Sequence, residues 1–286
     1  MKIRVLTLFP ELFGPFLVTS LIGRARERGL IDIEARDLRE FTHDRHRVVD
    51  DMPYGGGGGM VMKAEPWLEA LRRSSEDLRT DDAGTPWRIL LSPQGRRLEE
   101  SKVRELASRP ALILMCGRYE GIDERVIQLA VDEEISIGDF VLSGGELPAM
   151  VLIEALSRQI PGVVQLAESV DNDSFRHGLL DYPHYTRPRV VEGLEAPEVL
   201  LSGDHAKILA WRRRAALRAT LLKRPDLLPA AQLDIDGLRD LGEIARELGM
   251  GLPPALAEKI ASLPPPRRRR GKAASALACD SEETNN

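Results

Sequence analysis

Short apolar runs alternate with longer amphipathic stretches from Met1 to Gly162. Runs at Ile3–Leu8, Ile31–Ala35, Ile89–Leu91, Ala111–Cys116 and Ile135–Leu142 have the aliphatic and β-branched density of strands. Between them, Phe16–Arg28, Pro66–Leu78, Leu98–Ser108, Asp123–Ala130 and Leu147–Gln159 carry apolar residues at helical spacing. Strand and helix in alternation predict an α/β domain over 1–162, built on a mainly parallel sheet covered by helices. Two segments interrupt the pattern, a long glycine-rich loop at Phe41–Met62 and a polar gap at Thr80–Pro86. Long loops in compact domains commonly carry function.

After Ile160-Pro161-Gly162 the periodicity stops. Residues 163–185 are polar and turn-rich and predict a flexible linker. Helical spacing returns over 186–262, with helices expected at Asp204–Lys223, at Pro229–Leu248 with a break near Asp234–Gly237, and at Pro254–Ser262. In the first of these, Ile208, Trp211, Ala215, Ala219 and Leu222 form the expected apolar stripe, and Lys207, Arg214 and Arg218 fall on another face. The tail over 263–286, with Arg267–Arg270 followed by small and acidic residues, lacks the apolar content for a core and predicts disorder.

Composition narrows the class. The 286 residues suffice for two domains with separate cores. Only Cys116 and Cys279 are present, too far apart in sequence for a CxxC pair, which suits a reducing compartment. No apolar run approaches the roughly 18 residues of a membrane span, and no secretory segment opens the chain. A cytoplasmic protein with no membrane association is expected. A net charge of -5 argues against whole-surface attraction to nucleic acid. Local basic groups remain available: Arg24, Arg26 and Arg28; Arg45-His46-Arg47; and Arg212, Arg213, Arg214, Arg218, Lys223 and Arg224.

Two segments look built for a ligand. Ile137–Pro148 sets Gly138, Gly144 and Gly145 around apolar residues just before a helix, exposing main chain where other residues would place a side chain. Leu112–Arg125 reads as a buried strand that stops at Gly117 and re-enters a helix after Gly121. Loops of this kind at the C-terminal ends of parallel strands form a binding crevice. Familiar nucleotide and hydrolase motifs are absent: Gly55–Gly59 is followed by no Lys-Ser/Thr, no GxGxxG follows the first strand, and Ser143 lacks a nucleophile elbow. His43 and His46 have no further ligands at zinc spacing, so no metal site is assigned.

The strings Phe41-Thr-His-Asp-Arg-His-Arg47, Asp50-Asp-Met-Pro-Tyr-Gly-Gly-Gly57, Leu91-Ser-Pro-Gln-Gly95, Cys116-Gly-Arg-Tyr-Glu-Gly-Ile-Asp-Glu-Arg125, Ser136–Pro148 and Pro183-His-Tyr-Thr-Arg-Pro188 resemble the bacterial tRNA (guanine-N1)-methyltransferase family, TrmD. The similarity runs from Met1 to about Pro229. It implies the SPOUT fold, in which a deep trefoil knot in the C-terminal part of the α/β domain holds S-adenosylmethionine in a bent shape. The knot loops would be Leu91–Gly95, Gly117–Gly121 and Ile137–Pro148. The implied cofactor contacts are Leu91, Ser92, Pro93, Gly117, Tyr119, Ile137, Gly138, Asp139, Phe140, Val141, Leu142, Gly144, Gly145 and Pro148. The family also implies a homodimer whose active sites combine both subunits, and a product methylated at N1 of guanine 37 of tRNA, 3′ of the anticodon and preceded by guanine 36.

Guanine N1 carries a proton, so methyl transfer from a sulfonium requires a base for it and a donor for charge gathering on O6. By resemblance, Asp173, which precedes Ser174-Phe175, is the base and Arg158 the orienting donor. Glu120 would assist by orienting the guanine or through Mg2+. Desolvation against the RNA is needed for an aspartate to serve as base, so Asp173 is expected to order only with substrate or cofactor bound; Asp171 is its near competitor. Gly58 stands where the family often has proline, Phe140 where it often has tyrosine, and the arginine tail is outside its pattern. A non-catalytic RNA-binding module of the same fold, or a methyltransferase acting on ribose 2′-OH or ribosomal RNA, are the rival classes. Retention of Asp173, Arg158 and Glu120 together opposes the first, and the Asp-Ser-Phe and Pro-His-Tyr-Thr-Arg-Pro strings oppose the second.

Overall fold

The computed structural model describes residues 1–79, 84–164 and 173–265. Part of the polar gap at Thr80–Pro86, Asp171 and Arg267–Arg270 lie outside the described residues. The chain divides into two compact units, Met1–Arg176 and His177–Asn286.

In the first unit the elements run β1 (Lys2–Thr7), α1 (Phe13–Val18), α2 (Ser20–Glu27), β2 (Asp32–Asp37), β3 (Asp50–Asp51), β4 (Val61–Met62), α3 (Ala64–Leu78), β5 (Trp87–Arg97), α4 (Glu100–Ala107), β6 (Ala111–Cys116), α5 (Glu124–Ala130), β7 (Glu133–Ser136) and α6 (Glu146–Gln159). Five strands form one sheet in the order β2-β1-β6-β5-β7, and every neighbouring pair is parallel. β3 and β4 form a separate antiparallel pair that closes the Phe41–Met62 loop. β6 lies in the middle with all six residues buried, which is why it reads as an unbroken apolar run. Its side chains alternate between two cores. Leu112, Leu114 and Cys116 join Ile3, Val5, Leu152 and Leu156 on one face, and Ile113 and Met115 join Leu6, Trp67, Leu71 and Val126 on the other.

The expected single helix over Phe16–Arg28 is two helices. Thr19 is extended and Ser20 has φ 54°, so the chain turns sharply there. Gly23 permits the turn, since a Cβ on it would lie 2.5 Å from the Val18 carbonyl oxygen. The strand expected to reach Leu142 stops at Ser136, whose hydroxyl donates to the Gly138 carbonyl and accepts from the Gly138 amide, bending the chain out of the sheet. Conversely, the strand expected to end at Leu91 continues to Arg97 around a bulge, so Ser92–Gly95 is looped out from within a strand.

The second unit contains a hairpin of β8 (Val190–Val191) and β9 (Leu194–Glu195), then α7 (His205–Lys223), α8 (Ile235–Leu248) and α9 (Pro254–Ala261). Leu217, Leu221, Leu228, Leu241, Ile244, Ala245 and Leu256 form its core. The apolar stripe of α7 differs from the expected one: Ala216, Leu217, Thr220 and Leu221 are buried, whereas Leu222 is exposed. The cause is partner geometry, because α8 covers the face one residue round from the one the spacing favoured. The cations are also engaged. Arg214 pairs with Asp240, Glu243 and Glu247 at 2.8–3.0 Å, Lys207 with Asp204 at 3.1 Å, and Arg218 approaches Glu247 at 3.9 Å. Arg214 therefore fastens α7 to α8. No described helix is long and apolar enough to cross a membrane.

Candidate active site

β6 and β7 end, and β5 between them bulges, on one side of the sheet, and the segments there line a cavity of about 320 Å3. The first segment is the bulge of β5. Both Leu91 and Arg96 register with Ile135, so the four residues between them project from the sheet. Gly95 makes this possible, because a Cβ there would sit 2.4 Å from the backbone of Glu134 and Ile135. The second segment follows β6, where Tyr119 adopts the left-handed conformation at φ 59°, uncommon for an aromatic residue and a form of strain concentrated at binding sites. The third runs from β7 into α6. It is zipped to the second: the Gly145 amide donates to the Gly117 carbonyl at 3.1 Å, and Arg118 and Gly144 form a β-bridge. A Cβ on Gly145 would lie 2.6 Å from Cys116 Cα.

Glu146 holds this arrangement from beneath. It opens α6, where a negative charge suits the helix dipole, and it is only 2% exposed. Its carboxylate accepts from the Thr7 hydroxyl at 2.8 Å and bonds Arg118 at 3.0 Å, while the Arg118 guanidinium lies 4.4 Å over the Phe9 ring. One carboxylate thus joins the end of β1, the loop after β6 and the start of α6. Sequence reading missed it; the available signal was an acid in the first turn of a helix whose neighbouring residues are apolar. Cys116, fully buried alongside, has its thiol pushed well up by desolvation and then by the Glu146 charge, so it is protonated and inert.

The cavity brings together, from the residues singled out in the sequence, Leu91, Ser92 and Pro93; Gly117, Tyr119 and Glu120; and Ile137, Gly138, Phe140, Val141, Leu142, Gly144, Gly145 and Pro148. Asp139 is outside its lining, as are Arg158 and Asp173. Its charged lining is Glu120, Glu124 and Glu134 against Arg118, which Glu146 already neutralises. An acidic, main-chain-rich cavity of this size fits a small cationic ligand such as a sulfonium. Glu120 packs against the glycine loop, where a Cβ on Gly59 would meet its carboxylate, and its amide donates to the Met60 carbonyl at 3.0 Å. Among the described residues no group of three or more His, Cys, Asp or Glu is gathered for a metal.

Arg158 and Asp173 meet at the other end of α6. The Arg158 guanidinium donates to Asp173 Oδ2 at 2.5 Å, and both side chains are about two-fifths exposed. The structure thus sets Asp173 beside Arg158 and away from the cavity lining. Beside the pair, Gln159 donates to Glu100 at 2.9 Å and accepts from Arg176 at 3.2 Å. Burial raises the Glu100 carboxyl above its ordinary value, opposed by the Arg104 and Arg176 charges. Ten residues of helix separate Pro148 from Arg158, about 15 Å at 1.5 Å per residue. The pair thus lies about three turns of α6 from Pro148 and outside the lining of the cavity.

Residues 1–230 match the family described as tRNA (Guanine-1)-methyltransferase TrmD. Relatives named tRNA (guanine-N(1)-)-methyltransferase include that of Desulforudis audaxviator, 52% identical over 249 residues covering 87% of this chain and 98% of that protein. The Escherichia fergusonii protein is 52% identical over 248 residues, covering 86% of this chain and 95% of its own. That of Aromatoleum aromaticum is 52% identical over 244 residues, 85% and 92% of the two chains. With a family match over most of its length and relatives this similar, the chain belongs to the TrmD family of tRNA (guanine-1)-methyltransferases.

Proposed function

We propose that this chain transfers the methyl group of S-adenosylmethionine to N1 of guanine 37 of tRNA, next to guanine 36, acting in the cytoplasm as a homodimer. The observation that carries this is the acidic, main-chain-lined cavity at the β5 bulge and the ends of β6 and β7, together with a carboxylate and a guanidinium held as a pair. Main-chain groups of Ile137–Leu142 and Gly117 hold the adenine, and the acidic lining favours the sulfonium. The carbon–sulfur bond breaks as the bond to N1 forms, leaving S-adenosylhomocysteine. Asp173 takes the N1 proton, Arg158 turns from Asp173 to O6, and Glu120 orients the guanine.

The separation along α6 supports a site shared between subunits, with the cavity from one and the Asp173–Arg158 pair from the other. So do exposed apolar residues that continue from the cavity wall, Phe140, Val141 and Leu142, onto Leu147 and Val151 of α6. A SPOUT trefoil knot in the segments after β5, β6 and β7 is part of the same proposal, as are a tRNA-binding role for the helical unit and a linker over 163–185.

The test is to incubate the protein with S-adenosylmethionine and paired tRNA transcripts bearing guanine or adenine at position 37, then to map the methylated atom. Methyl on N1 of guanine 37 alone is expected; methyl on a ribose or another base overturns the assignment. Asp173→Ala is expected to slow the single-turnover step by about 10²–10⁴, the usual contribution of a positioned base, with cofactor affinity unchanged. A wild-type rate in that variant removes Asp173 from the mechanism.

A further inference from the structure

The helical unit has an unusual distribution of aromatic residues. From His177 onward the sequence contains Tyr182, Tyr185 and Trp211 and no other Phe, Tyr or Trp. Aromatic rings are the largest apolar groups a small unit can bury, yet none of the three enters its core, which is made of Leu, Ile, Ala and Met. Instead all three line one cleft of about 580 Å3, with Arg218 and Lys223 on the same wall system. Tyr185, half exposed, meets Trp211 edge-on with ring centres 6.2 Å apart. Arg212 lies over Tyr182 at 4.9 Å and holds that ring in place.

We infer that this cleft is a stacking site for an unpaired nucleobase of the tRNA, laid on the open faces of the Tyr185–Trp211 pair with its phosphate toward Lys223. The inference rests on tRNA being the substrate and adds where one of its bases is held. An exposed π-face flanked by cations is what an unstacked base requires, since stacking supplies affinity without demanding a particular sequence. The acids of the cleft do not oppose this: Glu247 is engaged by Arg214 at 3.0 Å, and Asp181 accepts from His184 at 2.9 Å. Lys223, exposed at the end of α7, has no ion pair among the described residues and is free to meet a phosphate.

The experiment uses the full chain and a tRNA transcript with guanines at positions 36 and 37. Trp211→Leu and Tyr185→Leu keep apolar bulk and remove the ring; Trp211→Phe restores a π-face. Each Leu variant is expected to weaken tRNA binding by about 5- to 150-fold at unchanged S-adenosylmethionine affinity, and Trp211→Phe to recover most of the loss. Lys223→Ala is expected to lower the log–log salt slope by about 0.7–0.9, whereas the Leu variants leave the slope alone. Leu variants that bind tRNA as the wild type does, or a loss that Phe fails to recover, overturn the cleft, since both reduce the rings to packing. A wild-type chain that methylates no tRNA overturns the substrate reading and the cleft with it.

Discussion

Gly117 and Gly145 face each other across one hydrogen bond, but their substitutions test different things. At Gly145 a Cβ would be driven into the Cys116 backbone, which cannot yield without moving the end of β6. At Gly117 the nearest atoms to a Cβ are the Ile122 side chain at 3.4–3.5 Å, an ordinary contact, so the folded chain accommodates alanine. Gly117→Ala is therefore expected to fold with wild-type stability and, on the proposed role of this glycine, to lose cofactor affinity at least tenfold, because its methyl would press on Ile122 and Leu90, which line the cavity. Gly145→Ala is expected to destabilise the unit by about 1–3 kcal/mol, the usual cost of overpacking. Calorimetric titration with S-adenosylmethionine and thermal denaturation separate the two effects; unchanged affinity in Gly117→Ala would show that this glycine does not border the ligand.

Single elements show what the sequence could and could not reveal. β6 was legible to the residue because an apolar run lies between Pro110 and Gly117, and a strand buried on both faces has no other pattern. The α1–α2 break was not, since it depends on Gly23 touching the Val18 backbone, a contact without a period. Nor was the buried face of α7, which α8 chooses, nor the Arg158–Asp173 pair, which joins residues 15 apart across a segment of no regular spacing. The start of α5 was legible and is testable. Asp123 caps the helix by accepting from the Arg125 amide at 2.9 Å, and its carboxyl is lowered to about 2 by the Arg125 side chain and amide. A carboxylate depressed on folding stabilises above its unfolded value, here 3.8, and loses that contribution as pH falls toward about 2. The protection factors of the α5 amides, exchange taken relative to the intrinsic rate at each pH, are expected to fall over that window. Asp123→Ala is expected to open the helix by about 1 kcal/mol at neutral pH, and Asp123→Asn to keep the cap without the acid dependence. Protection factors in Asp123→Asn that still fall between those values would place the acid-sensitive group elsewhere.

At the scale of the whole molecule, the length of α6 decides how the reaction can be assembled. On the proposed mechanism a cavity at its first turn and an acid–guanidinium pair at its last must meet at one guanine, and the roughly 15 Å between Pro148 and Arg158 disfavours their meeting within one chain. The proposed isologous dimer would resolve the distance if the two α6 helices pack antiparallel, because the two-fold axis would then set the last turn of one beside the first turn of the other and each contact would be made twice. Neither the spacing of apolar residues nor the composition carries that information, since it lies in a second copy. Mixing two inactive variants tests it. On the proposed assignment Gly117→Val would block the cavity and Asp173→Ala would remove the base; in a heterodimer of the two, a shared-site architecture leaves one site with both parts intact and one with neither. Random exchange of subunits at equal amounts makes half the dimers mixed, so roughly a quarter of wild-type activity is expected. If cavity and base came from the same chain, every site in the mixture would carry one lesion and the rate would stay at that of the separate variants. Co-purification with two different tags establishes that the subunits have exchanged, so an absence of recovered activity in the doubly tagged dimer would assign both parts to one chain.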